Sequence, residues 1–170
     1  MTPTFHLAEL NIGRLLAPTD DPRVAEFMGA LDRINGLGKR MPGFVWMSEG
    51  SGEPGPHLPN TGNTAVKLEG DAQFVSNLTV WESVETLEAF VWNTVHRAFY
   101  ERRAEWFEVL GRMHFVLWWV PVGHQPTIEE AMERLAHLQT HGDSDQAFGW
   151  QYLAEAKLWK MKNCTQVAAE

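Results

Sequence analysis

The segment HFVLWWV, residues 114–120, constrains the fold more than any other part of the chain. It is almost wholly apolar, and a strand of that composition is typical of a sheet that is covered on both faces. It is much shorter than the roughly 20 apolar residues that cross a bilayer, and no other stretch reaches that length either. The segment therefore predicts a buried strand in a globular domain.

Three more segments have strand patterns. Residues 5–12 alternate, so that one side of this strand carries Phe5, Leu7, Glu9 and Asn11. The other two segments are residues 44–47 and 73–81. Together with residues 114–120 they predict a sheet of four strands.

Three helices separate or follow these strands. Asp21 and Pro22 are a typical helix start, and the helix that follows ends near Gly38. Ser83 caps a second helix. Thr127 and Glu130 predict a capping box for a third helix, which ends at Gly142.

The order β-α-β-β-α-β-α predicts an α+β fold with the ferredoxin-like split βαβ arrangement and an extra C-terminal helix. Residues 1–150 are expected to form this domain, and residues 151–170 a tail. Such a sheet carries its helices on one face. A second copy of the chain is the simplest cover for the other face, which predicts a symmetric homodimer.

Composition excludes several classes of protein. The net charge of −8 argues against nucleic-acid binding, which needs a positive surface. The single cysteine cannot form an internal disulfide, and the N-terminal residues do not resemble a signal peptide. We therefore expect a cytoplasmic protein without a membrane segment. Eight tryptophans suggest a large apolar pocket or a buried interface, beside ordinary core packing.

The segment from Trp81 to Phe107 holds most of the side chains that could carry chemistry. Its apolar stripe rotates by roughly a third of a turn between its two halves, at about 100° per residue. A straight helix with one buried face does not do this. The segment therefore bends near His96, or it is buried from two directions.

His96 and Arg103 lie at the edge of the aromatic stripe in this segment. Together they could bind an anionic aromatic ligand, with His96 as a base or as an axial haem ligand. The alternative is structural, with His96 bonded to a backbone carbonyl and Arg103 paired with a neighbouring glutamate. The ligand-contacting candidates are Trp92, Phe99, Tyr100, Trp106, Trp118 and His124. No histidine and carboxylate spacing predicts a metal site.

The loop 48–64 is dense in glycine and proline. A long loop in a compact domain is either a functional lid or a mobile hairpin, and the composition leaves both open.

Several motifs resemble an uncharacterised family known only as a domain of unknown function. They are HLAELNI at the start, W-E-S-x-x-x-L-x-x-F-V at 81–91, H-R at 96–97, E-W-F at 105–107 and LWWVPVGHQPTIEEAMERL at 117–135. The resemblance covers about residues 5–148. It implies the dimeric α/β-barrel fold, distantly similar to antibiotic-biosynthesis and haem-degrading monooxygenases.

The haem-degrading relatives use an asparagine on the first strand with a histidine and a tryptophan near the second helix. The resemblance implies these roles for Asn11, His96 and Trp92. It favours a homodimer with a pocket for a flat, largely apolar molecule, acting as a cofactor-independent monooxygenase in which His96 is the base and Asn11 or Arg103 orients the substrate. A non-catalytic haem or tetrapyrrole binder and a structural protein without an active site remain alternatives.

Overall fold

A computed structural model describes residues 4–48, 63–65, 73–111 and 114–161. Most of the loop 48–64, namely residues 49–62, and Cys164 lie outside the described residues. The strands are β1 (Phe5–Arg14), β2 (Phe44–Met47), β3 (Asn63–Ala65), β4 (Phe74–Trp81) and β5 (Phe115–Pro121). The α-helices are α1 (Ala25–Gly38), α2 (Val84–Asn93), α3 (Val95–Glu101) and α4 (Ile128–His141). Short 3-10 turns cover Pro22–Val24, Arg103–Glu105 and Trp150–Tyr152.

The sheet is antiparallel, with strand order β2-β4-β1-β5, and β3 also pairs with β4. β1 is central and lies between β4 and β5. This order and the alternation of strands and helices agree with the predicted ferredoxin-like α+β fold. No helix in the described ranges has both the length and the apolar character that a membrane crossing requires.

The two faces of the sheet carry different layers. On one face, Leu7 and Leu117 share a core cluster with Ile34 of α1 and Leu87 of α2. We call this the α1–α2 face. On the opposite face, residues of β1, β4 and β5 pack against Ala131, Leu135 and Leu138 of α4. We call this the α4 face. The helix α4 of the same chain thus provides cover that the sequence assigned to a second copy.

The residues after β5 and α4 complete the core of the α1–α2 face. Phe148 pairs with Leu117 through two backbone hydrogen bonds of 2.8 and 2.9 Å. Trp150, Leu153 and Ala156 are buried in the same cluster as Leu7. Part of the predicted tail therefore packs against the sheet.

The segment 81–107 is interrupted at Thr94, two residues before His96. Thr94 has an extended backbone, and its hydroxyl donates to the Phe90 carbonyl at 2.6 Å and accepts from the His96 amide at 3.1 Å. This hydroxyl satisfies backbone groups at the end of α2 and the start of α3, which stabilises the break. The predicted bend near His96 is confirmed, and it explains the rotation of the apolar stripe.

The predicted caps are confirmed in part. Ser83 forms a reciprocal capping box with Thr86 at the start of α2. Gly142, with φ of 74°, ends α4. Thr127 accepts from the Glu130 amide at 3.2 Å, but the Glu130 carboxylate bonds other side chains, so the predicted second half of that capping box is wrong.

Candidate functional site

A buried carboxylate lies in the middle of the α1–α2 face. Strand alternation points Glu9 of β1 to this face, where its side chain is 5% exposed. Asn11 Nδ2 donates to Glu9 Oε1 at 2.6 Å, and Thr79 Oγ1 donates to Glu9 Oε2 at 2.8 Å. Burial raises the pKa of Glu9 to about 7, although both hydrogen bonds oppose the shift.

The orientation of the Thr79 hydroxyl follows from its second partner. The indole Nε1–H of Trp81 donates to Thr79 Oγ1 at 3.0 Å. Because an indole N–H is only a donor, Thr79 must accept there, and its own proton is free to point at Glu9. Trp81 therefore donates a hydrogen bond to Thr79, and Thr79 in turn donates one to Glu9.

The next residue pair on this face consists of two carboxamides. Register places Asn11 opposite Asn77 of β4, one pair further along from Glu9 and Thr79. Both asparagines are half-buried, so the group meets solvent at this end. Asn77 Oδ1 is buried and has no hydrogen-bond partner among the described residues. We call Glu9, Asn11, Asn77 and Thr79 the Glu9 cluster.

Aromatic rings flank the cluster on the β4 side. Trp81 stacks on Phe90 of α2 with ring centroids 5.3 Å apart, and Phe90 contacts His96 of α3 at 4.9 Å. This row joins the polar cluster to the start of α3.

A second row of rings flanks the cluster on the β5 side. Phe115 lies opposite Asn11 and is half-buried. Trp150 stacks on Phe115 at 5.6 Å and contacts Trp92 at 6.5 Å, and Trp92 meets the edge of Tyr100 at 5.2 Å. The surroundings of the cluster suit flat apolar groups.

His96, the predicted base, is half-buried, and among the described contacts the ring of Phe90 links it to the site. Its Nδ1 lies 3.4 Å from the Val91 carbonyl oxygen. Burial lowers the pKa of His96 to about 4, against the smaller effect of that carbonyl. The imidazole is therefore neutral at pH 7 and only weakly basic.

The other predicted residues of this segment form a second group. Arg103 is exposed; it donates to the Tyr100 carbonyl at 2.9 Å and lies over the Tyr100 ring at 4.3 Å. Phe99 stacks on Trp106 at 5.4 Å, and Trp106 belongs to a separate core cluster with Leu15 and Val24. Among the described contacts, none joins Arg103 to the Glu9 cluster.

Trp118 and His124 belong to the opposite side of the sheet. Trp118 is buried on the α4 face, and its Nε1 donates to Glu130 Oε1 at 3.2 Å. His124 Nε2 lies 2.7 Å from Glu130 Oε2 and is exposed. Glu130 thus brings these two residues together, across the sheet from Asn11.

Sequence reasoning placed Asn11 in the site but missed Glu9 and the two members of the cluster on β4, Asn77 and Thr79. A signal for Glu9 was present, because an acidic side chain between Leu7 and Asn11 falls on a face that is otherwise partly apolar. Its partner Thr79 is 70 residues away, and only the register of β1 against β4 identifies it.

The described residues contain no cluster of metal ligands, and the ring of His96 lies against the ring of Phe90. Nowhere in them do three His, Cys, Asp or Glu side chains gather as metal ligands. The rings that adjoin His96 pack on one another, from His96 to Phe90 to Trp81, with ring centroids 4.9 and 5.3 Å apart. A surface depression of about 440 Å³ is lined by Lys39 and residues 44–47, none of which is a predicted site residue.

Comparison with known proteins identifies the family of the chain. Searches of curated proteins and of solved structures give no significant match. A family profile described as a domain of unknown function, DUF3291, matches residues 6–164 and so includes both the Glu9 cluster and the segment after Trp150. Because this match spans nearly the whole chain, the protein belongs to the DUF3291 family.

Proposed function

We propose that the Glu9 cluster is the active site of an enzyme that takes a flat, largely apolar small molecule between the sheet and the helices α2 and α3. In this proposal Glu9 accepts a proton from the ligand, and Asn11 orients the ligand. Their side chains are already joined by a hydrogen bond of 2.6 Å.

The observation that carries the proposal is a buried carboxylate without a cationic partner among its described contacts. Burying a charge is costly, and an apolar side chain of similar volume would stabilise a core at least as well. The half-buried asparagines beside Glu9 give the carboxylate a route to solvent and to a ligand. A polar group of this kind in an aromatic surround is typical of small-molecule sites.

Glu9 is better suited than His96 to act as the base. A general base works best when its pKa is close to the working pH. The pKa of Glu9 is about 7 and that of His96 is about 4. The role of His96 in the proposal is therefore to pack against Phe90.

The reaction class that we propose is oxygenation without a cofactor, as the resemblance to the monooxygenases of the dimeric α/β-barrel superfamily implies. The deprotonated ligand supplies the electrons, so that AH₂ + O₂ gives AO + H₂O. One oxygen atom enters the ligand and the other leaves as water. Glu9 holds the proton that the ligand releases and returns it to the water.

A homodimer is part of the proposal. Phe5, Trp119 and Tyr152 are 53%, 39% and 42% exposed, and Phe148 contacts both Trp119 and Tyr152. An exposed patch of aromatic side chains is typical of a protein interface. Sedimentation of the purified chain measures the oligomeric state directly.

The test of the site is a screen of flat aromatic fragments by methyl NMR. Leu7 and Leu117 report on the α1–α2 face, and Leu10 and Val116 on the same strands report on the α4 face. We expect fragments to shift only the first pair. Oxygen uptake with any fragment that binds should be lost in Glu9→Gln.

Two results would contradict the proposal. If no fragment shifts Leu7 or Leu117, or if shifts occur only at Leu10 and Val116, the cluster is not a ligand site. If fragments bind and oxygen uptake is the same in Glu9→Gln as in the parent, Glu9 is not the base.

A further inference from the structure

The hydrogen bonds of the Glu9 cluster define which groups remain for a ligand. The Thr79 hydroxyl donates its only proton to Glu9, and Asn11 also donates to Glu9. Asn77 Oδ1 is an acceptor that has no partner among the described residues. The cluster therefore contains one buried acceptor, Asn77 Oδ1, that a donor on a ligand could pair.

An unpaired buried acceptor is costly to leave unsatisfied. A ligand that donates to Asn77 Oδ1 would replace the water that this atom lost on folding. A ligand that carries only acceptors would leave this oxygen unpaired.

The geometry of the strands sets the size of the ligand. Glu9 and Asn77 are diagonal neighbours on one face of an antiparallel pair, which places their side chains about 7–8 Å apart. Phe115, opposite Asn11 on β5, provides a half-buried ring beside them. A planar molecule of two fused rings is long enough to reach from one polar group to the other.

The charge of the cluster argues against an anionic ligand. Glu9 is the charged member of the cluster, and an ionised carboxylate repels a second anion at this range. Arg103, the cation that the sequence suggested for an anion, instead bonds the Tyr100 carbonyl on α3.

We propose that the ligand is a planar molecule of about two fused rings that presents a neutral hydrogen-bond donor, a hydroxyl or a ring N–H, to Asn77 Oδ1. This inference rests on the proposed function of the Glu9 cluster. It assigns Asn77 as the residue that selects the ligand through its neutral donor, while Glu9 accepts a different proton, from the part of the ligand that lies beside the carboxylate.

The test uses three probes that share one ring system: 2-naphthol, 2-methoxynaphthalene and 2-naphthoate. Binding is followed by the methyl shifts of Leu7 and Leu117 at pH 7. We expect 2-naphthol to bind roughly tenfold more tightly than either of the other two, because it alone offers a neutral donor.

Two variants test the role of Asn77. Asn77→Leu should lose this roughly tenfold preference and leave the binding of 2-methoxynaphthalene unchanged. Asn93→Leu, a matched change at an exposed position in α2, should keep the preference. Circular dichroism and thermal unfolding of both variants establish that they fold.

The outcomes separate the inference from the proposed function. If all three probes shift Leu7 and Leu117 with equal affinity, or if 2-naphthoate binds most tightly, the proposal of a neutral donor on the ligand is overturned. The proposal that the Glu9 cluster binds a ligand is then kept. If 2-naphthol is preferred equally by a folded Asn77→Leu, the role of Asn77 is overturned. If no probe shifts these methyl groups, both the inference and the proposed function fail.

Discussion

Glu9 occupies a buried position in the central strand, where an apolar side chain would stabilise the fold at least as well as a carboxylate. Its carboxylate is surrounded by Asn11, Thr79 and, through Thr79, the indole of Trp81. Each of these partners donates in a direction that favours the ionised form, yet burial outweighs them and raises the pKa to about 7. The residue is therefore close to half-ionised at neutral pH.

The raised pKa of Glu9 makes a prediction about stability. The pKa of Glu9 is 4.5 in its ordinary state and about 7 in the folded protein. Between these two pH values the unfolded chain has lost the Glu9 proton, while the folded protein retains it. The free energy of unfolding should therefore fall as pH rises through this range, by about 3 kcal/mol in all from this group, and the loss is complete about one pH unit above the folded-state pKa. Denaturant unfolding of the parent and of Glu9→Gln at pH 4 to 8 measures it.

The difference in the free energy of unfolding between the parent and Glu9→Gln reports on Glu9, because the other groups titrate alike in both proteins. Glu133→Gln, at an exposed position in α4, is the control and should leave the pH dependence unchanged. A parent-minus-Glu9→Gln difference that stays constant from pH 4 to 8 would mean that the pKa of Glu9 is not raised.

At the scale of elements, a second buried carboxylate attaches the end of the described chain. Glu88 of α2 is 2% exposed, and its carboxylate accepts from the Leu158 amide at 3.3 Å and the Trp159 amide at 2.9 Å. These amides lie in the first turn of the helical residues 157–161, where backbone N–H groups lack partners within the helix. The carboxylate and the helix end thus satisfy each other.

We predict that Glu88→Gln loosens this attachment. A neutral amide accepts more weakly than a carboxylate and offers a single acceptor oxygen, so the Leu158 and Trp159 amides should exchange about tenfold faster or more. Hydrogen exchange measured by NMR provides the rates. Glu82→Gln, an exposed change just before α2, is the control. Unchanged exchange at both amides in Glu88→Gln would contradict the prediction.

The elements themselves were largely predictable from sequence, because they depend on local patterns. Alternation located β1 and β4, the apolar segments 44–47 and 114–120 located β2 and β5, and capping residues located the starts of α2 and α4. The break at Thr94 was signalled by the rotated apolar stripe, although the residue responsible was not.

The arrangement of the elements was harder to predict, because it depends on contacts between distant residues. The apolar stripe of α4 showed that this helix is buried, but not that it packs on the second face of the sheet. The pairing of Glu9 with Thr79 required the register of two strands far apart in sequence. Glu130 was assigned to a cap, whereas its actual partners, Trp118 and His124, lie outside its helix.

For the molecule as a whole, the residues after Trp150 belong to the same core as the first strand. Leu153 and Ala156 are 4% and 0% exposed and share a cluster with Leu7 and Trp81. Removing them would expose one end of the α1–α2 face to water and leave a cavity in the core.

We therefore predict that a chain shortened to end at residue 150 loses its single cooperative unfolding transition. A chain that ends at residue 161 keeps every described contact and should unfold in one transition, close to that of the full chain. Thermal unfolding followed by tryptophan fluorescence and by circular dichroism compares the two. If the shorter chain unfolds as cooperatively as the longer one, the segment 151–161 is not part of the core.

The central position of β1 has a consequence for synthesis. β1 precedes both of its partner strands, and its register joins Leu7 to Trp81 on one side and Phe5 to Pro121 on the other. While the ribosome makes the rest of the chain, the first strand has two open edges and apolar side chains on both faces. The sheet cannot be completed until β5 has emerged, so β1 is exposed to aggregation while the residues between these two strands are made.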